Sequence, residues 1–251
     1  MSDSRAAPAP ASAGGTAPRP VPAPACILTD IEGTTTAIAF VKDTLFPFAA
    51  AELDAFLDTH ADDPAVAGVL ADVRATAREQ DPRSTLRIWM AEDAKVTPLK
   101  TLQGLIWRAG YADGRIKGQL WPDVAPCLRA WAQAGLRLAV YSSGSVAAQK
   151  LLFGHSDAGD LAPLFAAWFD TKVGGKRDAA SYAAIAAALV LPPRDILFLS
   201  DVVEELDAAA ASGLRTCQLV RPADGTHPAG RHAEAADFPA VARLHGLPGA
   251  R

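Results

Sequence analysis

Short apolar runs alternate with segments of helical period along most of the chain, and one long stretch breaks that rhythm. Cys26-Ile27-Leu28-Thr29 is apolar and then opens into Asp30-Ile31-Glu32-Gly33-Thr34-Thr35, the pattern of a buried parallel strand ending in a turn. Asp43 to His60 then carries apolar residues at helical spacing, and Asp63-Pro64 starts a second helix running to Gln80 with Pro64 at its first position. Ser84 to Asp93 and Pro98 to Ala109 predict two more helices, followed by a turn-rich return over Gly110 to Gly118. No strand signal separates these helices.

Alternation then resumes. Pro122 to Gly135 is a helix closed by its glycine, Leu136 to Tyr141 a strand, Val146 to Phe153 a helix and Trp168 to Asp170 a short strand. Asp178 to Leu191 is an Ala-rich helix stopped by Pro192-Pro193. Ile196 to Asp201 is a strand, Glu204 to Ser212 a helix stopped by Gly213, and Arg215 to Val220 the last clear strand. Beyond Pro222 the pattern says little. Alternation of this kind predicts a mostly parallel sheet with helices on both faces. The uninterrupted helices after the first strand then read as an inserted helical unit.

Composition agrees with a folded chain. Of 251 residues, 50% are hydrophobic and 21% charged, enough apolar surface for a real core. The exception is residues 1 to about 24, almost all Ala, Pro, Ser and Gly, which bury too little to offset their ordering entropy and predict a disordered tail. That tail lacks the basic start and apolar centre of a signal peptide. The formal net charge is −4 with no Lys/Arg-rich block, which argues against a nucleic-acid partner. No apolar run approaches the ~18 residues of a membrane span. Cys26, Cys127 and Cys217 are too few and too scattered for a disulfide framework or a zinc site, and suit a reducing cytoplasm.

Three predicted strands end in groups that carry chemistry: Asp30, Ser142-Ser143 and Asp201. Parallel strands bring such ends to one edge of a sheet, where ligands bind. Asp30 and Asp201 there suit a hard divalent cation such as Mg²⁺. Backbone N–H groups after Ser142-Ser143-Gly144-Ser145, together with the hydroxyls, make an anion cradle. Lys176, after Gly174-Gly175, supplies a cation for a phosphate and a carboxylate. Nucleophile, metal site, anion cradle and acid/base are the inventory for phosphoryl transfer.

In this order, Asp30, Ser142, Lys176 and Asp201 resemble the four motifs of the haloacid-dehalogenase superfamily of aspartate-nucleophile phosphatases. Glu32 stands where that superfamily usually has a second Asp. With Val140–Ser156, Phe169–Lys176 and Thr97–Tyr111, the resemblance narrows to the enolase-phosphatases of methionine salvage, the acireductone synthases. It implies an α/β fold, a Rossmann-like parallel sheet core over 25–39 and 119–251 with an inserted all-helical cap over 40–118. It also implies conversion of 2,3-diketo-5-methylthiopentyl 1-phosphate to its enol phosphate and then to the acireductone. By position, Asp30 is the nucleophile and a Mg²⁺ ligand, Glu32 the acid/base and a further metal ligand through its carbonyl, and Asp201 the other ligand. Ser142 and Ser143 bind substrate, Lys176 binds phosphate and acts in catalysis, and Glu205 supports the metal through water. One Mg²⁺ per subunit and a monomer are expected.

Plainer readings stand beside these. Lys100 and Gln103 on a cap helix are ordinarily a solvated lysine and its neighbour, and Trp89, Trp107 and Trp121 read as cap core. His155 reads as structural, and His227, His232 and His245 form no metal pattern. The rival functions are a plain phosphatase for another small phosphate ester and a catalytically silent phosphometabolite-binding protein. A dehalogenase has no use for the Asp30/Asp201 pair, and silence sits poorly with Asp30, Glu32, Lys176 and Asp201 together.

Overall fold

The computed structural model describes residues 22–77 and 81–249. The tail expected over residues 1–24 lies outside them as far as residue 21. At its end, Pro24 is already buried and the Pro22 carbonyl accepts a 2.7 Å bond from Arg215 Nη1.

Six strands form one parallel sheet: β1 (Cys26–Thr29), β2 (Arg137–Tyr141), β3 (Phe165–Phe169), β4 (Ile196–Ser200), β5 (Arg215–Leu219) and β6 (Ala233–Ala235). Their order is β3-β2-β1-β4-β5-β6. β1 is therefore flanked by β2 and β4, paired through Leu28 to Ala139 on one side and to Phe198 on the other. Successive residues of a strand face opposite sides, so the sheet feeds two cores. Ile27, Val140 and Leu199 pack with Leu128, Trp131 and Val241. Leu28, Tyr141 and Phe198 pack with Tyr182, Ile185 and Leu206.

The helices on these faces are α6 (Val124–Gln133), α7 (Val146–Gly154), α8 (Ala179–Leu189), α9 (Val203–Ala211) and α10 (Phe238–His245). Between β1 and α6, the elements among the described residues are helices: α1 (Ile38–Phe40) running through a π turn (Val41–Leu45) into α2 (Phe46–Thr59), then α3 (Pro64–Thr76), α4 (Pro82–Ala91) and α5 (Thr97–Ala112). Leu53, Val66, Leu86 and Leu102 form a third core among them. Asp63 and Asp81 cap α3 and α4 by accepting from Ala65 N at 2.8 Å and Ser84 N at 3.0 Å, satisfying donors that helix starts leave free.

The helix expected to run to Gln80 ends at Thr76, and residues 78–80 lie outside those described; four further expectations need correction. The strand expected over Trp168 to Asp170 begins at Phe165, because pairing with β2 overrides the weak strand preference of Ala166 and Ala167. β6 and α10 follow the strand expected to be the last clear one; β6 is three residues long and shows almost no alternation. The helix expected to end at Ala109 continues to Ala112. Trp121 does not belong to the helical block: it packs against the sheet's own core, with the Arg221 guanidinium 5.1 Å from its ring.

Candidate active site

Asp30 follows β1 directly, its amide bonded to Leu199 O at 2.9 Å, and is buried. Because β2 and β4 flank β1, Ser142 and Asp201 emerge on either side of it. Asp30, Glu32, Ser142, Ser143, Lys176 and Asp201 all line one cavity of about 190 Å³. Ile38, Val202 and Glu205 complete its wall. Every site residue expected from the sequence is thus brought together at the C-terminal edge of the sheet.

Lys176 is the cation of this cavity. Its Nζ lies 2.7 Å from Asp30 Oδ1 and 2.6 Å from Glu205 Oε2, with all three side chains close to fully buried. Burial alone lowers a lysine's pKa, but the Asp30 and Glu205 carboxylates outweigh it and hold the ammonium charged. The loop carrying it is pinned through its backbone: Tyr141 OH donates to Gly174 O at 2.9 Å, Ser181 Oγ to Gly175 O at 2.8 Å and Tyr182 OH to Lys176 O at 2.7 Å. Gly174 explains half of the Gly-Gly pair, since its φ is +140° and a Cβ would strike Ser181; at Gly175 the space is open.

Glu32 lines the cavity and is the exposed member of its carboxylates. Desolvation by the surrounding wall, then the Asp30 charge, raise its pKa, and Lys176 opposes them. Asp201 is pushed up to about 6, first by burial and then by Asp30. Glu205, bonded to Ser200 Oγ at 3.1 Å, is raised to about 7 by burial and Asp30 against the pull of Lys176.

Two features hold the anion cradle in shape. Ser142 Oγ accepts from Gly144 N at 3.3 Å, and Ser145 caps α7 by accepting from Ala148 N at 3.3 Å. Gln149, fully buried on α7, donates to both Gly144 O and Phe169 O at 2.8 Å. Sequence reasoning missed Gln149. A glutamine inside a buried helix face was the available signal, since such a group must find partners.

The donor set suits Mg²⁺. Asp30 and Asp201 offer two carboxylates and the Glu32 carbonyl a third oxygen, leaving room for the waters this ion retains. Four carboxylates line the cavity against the single ammonium of Lys176; among the described residues the Asp201 carboxylate accepts from the Thr34 hydroxyl, while its amide donates to Thr34 Oγ1 and its carbonyl accepts from Gln218. The absence of a Cβ at Gly33 leaves the space that the Asp201 carboxylate occupies. Among the described residues no group of three His, Cys, Asp or Glu side chains is placed to hold a metal ion by itself, so carbonyl oxygen and water must complete the set. Lys100 and Gln103 do not line this cavity; Gln103 lies in a second one of about 330 Å³ beside Phe46 and Met90. His155 stacks on Tyr111 with ring centroids 5.6 Å apart, and His232 is spent between Thr216 and Asp207 at 2.9 and 3.0 Å.

The pattern of the haloacid dehalogenase-like hydrolases matches residues 24–213. The enolase-phosphatase E1 of Granulibacter bethesdensis is 59% identical over 88% of this chain and 96% of its own. That of Pseudomonas aeruginosa is 56% identical over 78% and 89%. The chain belongs to the enolase-phosphatases of the haloacid dehalogenase-like hydrolases. Among solved structures of similar fold, the UTR4 protein of Saccharomyces cerevisiae is 33% identical, with a TM-score of 0.74 over 86% of this chain and 98% of that one. The CbbY protein of Rhodobacter sphaeroides, 18% identical with a TM-score of 0.55, shares the fold. Among the described residues no helix is long and apolar enough to cross a membrane.

Proposed function

We propose that this enolase-phosphatase converts 2,3-diketo-5-methylthiopentyl 1-phosphate to the enol phosphate and then, by hydrolysis, to the acireductone 1,2-dihydroxy-3-keto-5-methylthiopentene. The observation that carries the reading is the convergence of Asp30, Glu32, Ser142, Ser143, Lys176 and Asp201 on one cavity in a chain 59% identical to an enolase-phosphatase.

In the phosphatase half, an Asp30 carboxylate oxygen attacks phosphorus and the ester oxygen leaves with the enediol. Glu32 protonates that oxygen, then takes a proton from the water that cleaves the aspartyl phosphate. Lys176, 2.7 Å from Asp30, offsets charge on the phosphoryl oxygens. The Ser142 and Ser143 loop, held by Gln149 from behind, orients them. Asp30, Asp201 and the Glu32 carbonyl would hold one Mg²⁺, whose positive charge opposes that of the phosphate. In the enolase half, a base in the cavity takes the proton from the carbon bearing the phosphate ester, and the neighbouring carbonyl oxygen, which gains negative charge, is then protonated to give the enol. The buried Lys176 ammonium on the cavity wall favours that charge.

The test supplies the diketone phosphate and Mg²⁺ and follows phosphate and enediol together. Enzyme-dependent enediol accompanying phosphate release is expected. A dephosphorylated diketone formed ahead of any enediol refutes the enolase half and leaves a plain phosphatase.

A further inference from the structure

We infer that the turn from Arg221 to Asp224, beyond the matched segment 24–213, positions the loop that follows the nucleophile and through it Asp201. The inference rests on the functional reading above. The loop is a tight knot: the amides of Thr34, Thr35 and Thr36 all bond to Ile31 O at 2.9–3.2 Å. Such a knot is stiff within itself but needs anchoring to the rest of the core.

Arg221 anchors its middle. The guanidinium is buried and grips Asp123 through two 2.9 Å bonds, while Nη2 also donates to Thr34 O at 3.1 Å. Asp123 is held in turn by the Phe238 amide at 2.9 Å. Thr34 then passes the constraint on, because its Oγ1 accepts from the Asp201 amide at 3.1 Å. Asp224 anchors the far end: its Oδ2 accepts from the amide of Ile38 at 3.2 Å. Ile38 lines the cavity and begins the helical block. A third hold comes from β5, where buried Gln218 donates to Asp201 O at 3.3 Å.

Arg221 touches neither Asp30 nor the cavity, so it is a positioning residue. A guanidinium spans Asp123 and Thr34 O at once, which a lysine's single ammonium point does poorly. Removing Arg221 alone would leave the half-buried Asp123 carboxylate without its counter-charge, so the informative variant is Arg221→Met with Asp123→Asn. Loss of such outer partners lowers activity or metal affinity roughly 10–100-fold. The double variant is expected to lose kcat in that range with KM for the diketone phosphate unchanged, and Mg²⁺ affinity measured by equilibrium binding falls with kcat. Arg221→Lys, which keeps the charge, restores part of both. Asp224→Ala, a substitution near the surface, lowers kcat by a smaller factor without moving the thermal midpoint.

A folded double variant with wild-type kcat and Mg²⁺ affinity overturns the inference, as does a rise in KM alone. If the double variant does not fold, unchanged kcat in Asp224→Ala overturns it. Failure of the functional reading is seen separately, as wild-type enzyme releasing no phosphate; Mg²⁺ affinity of the variants still decides the inference in that case.

Discussion

Gly33→Ala separates backbone strain from damage to the site. Gly33 sits at φ +74°, and a Cβ built there comes within 2.5 Å of Asp201 Cγ and 2.8 Å of Oδ1. Left-handed backbone costs a non-glycine residue about 1–2 kcal/mol. For a chain of this size that lowers the thermal midpoint by roughly 2–8 °C. The collision is a second effect. Non-bonded carbons sit comfortably at about 3.5–4.0 Å, so the Asp201 carboxylate must retreat by about 1 Å, a displacement able to lower a rate about 100-fold. Gly135→Ala is the control, since Gly135 has φ +85° and nothing within 4 Å of its built Cβ. The control is expected to lose stability alone, whereas Gly33→Ala loses at least as much stability and about 100-fold in kcat. Thermal melts and phosphate release from the diketone phosphate with Mg²⁺ read the two effects. Equal behaviour of the variants in both assays refutes the argument that Gly33 exists to seat Asp201.

Asp30→Asn should lower phosphate release by orders of magnitude with the circular dichroism spectrum unchanged, because an amide is a poor nucleophile; near-normal turnover removes Asp30 from the role. Orthophosphate should bind measurably only with Mg²⁺ present, since the cavity's carboxylates outnumber Lys176; calorimetry showing equal affinity with chelator contradicts this. Burial pushes the thiols of Cys26 and Cys217 up to about 12 and that of Cys127 to about 11. Iodoacetamide near neutral pH should therefore label none of them in the native protein and all three in urea; rapid native labelling of Cys26 is the contrary result.

The strands nearest the chemistry were legible because each is a nearly continuous apolar run interrupted by a polar residue. Cys26 to Thr29 before Asp30 and Ile196 to Ser200 before Asp201 need both sheet faces covered, and only a strand between two helix layers provides that. The helical block was legible for the opposite reason: from Asp43 onward apolar spacing keeps helical period. β6 and α10 were not, because Ala233–Ala235 is too short to show a period. Yet Asp237-Phe238-Pro239 carries a start signal, with Asp237 accepting from Ala240 N at 2.6 Å and Pro in the first turn.

The chemical side chains and the residues that position them differ in what they leave in a sequence. The roles proposed for Asp30, Glu32, Lys176 and Asp201 rest on their own charges, and residue type plus place after a strand suffices to suggest each one. Arg221 and Gln149 act on backbone carbonyls, those of Thr34, Gly144 and Phe169. A carbonyl carries no residue identity, so no pattern at the target announces the contact. Arg221 moreover requires its counter-charge at Asp123, 98 residues earlier, a pairing that exists only once β5 lies in the sheet beside β4. Before folding, an arginine after a strand reads as solvated. Its burial is a product of topology, and the alignment of Asp201 that it supports is one as well.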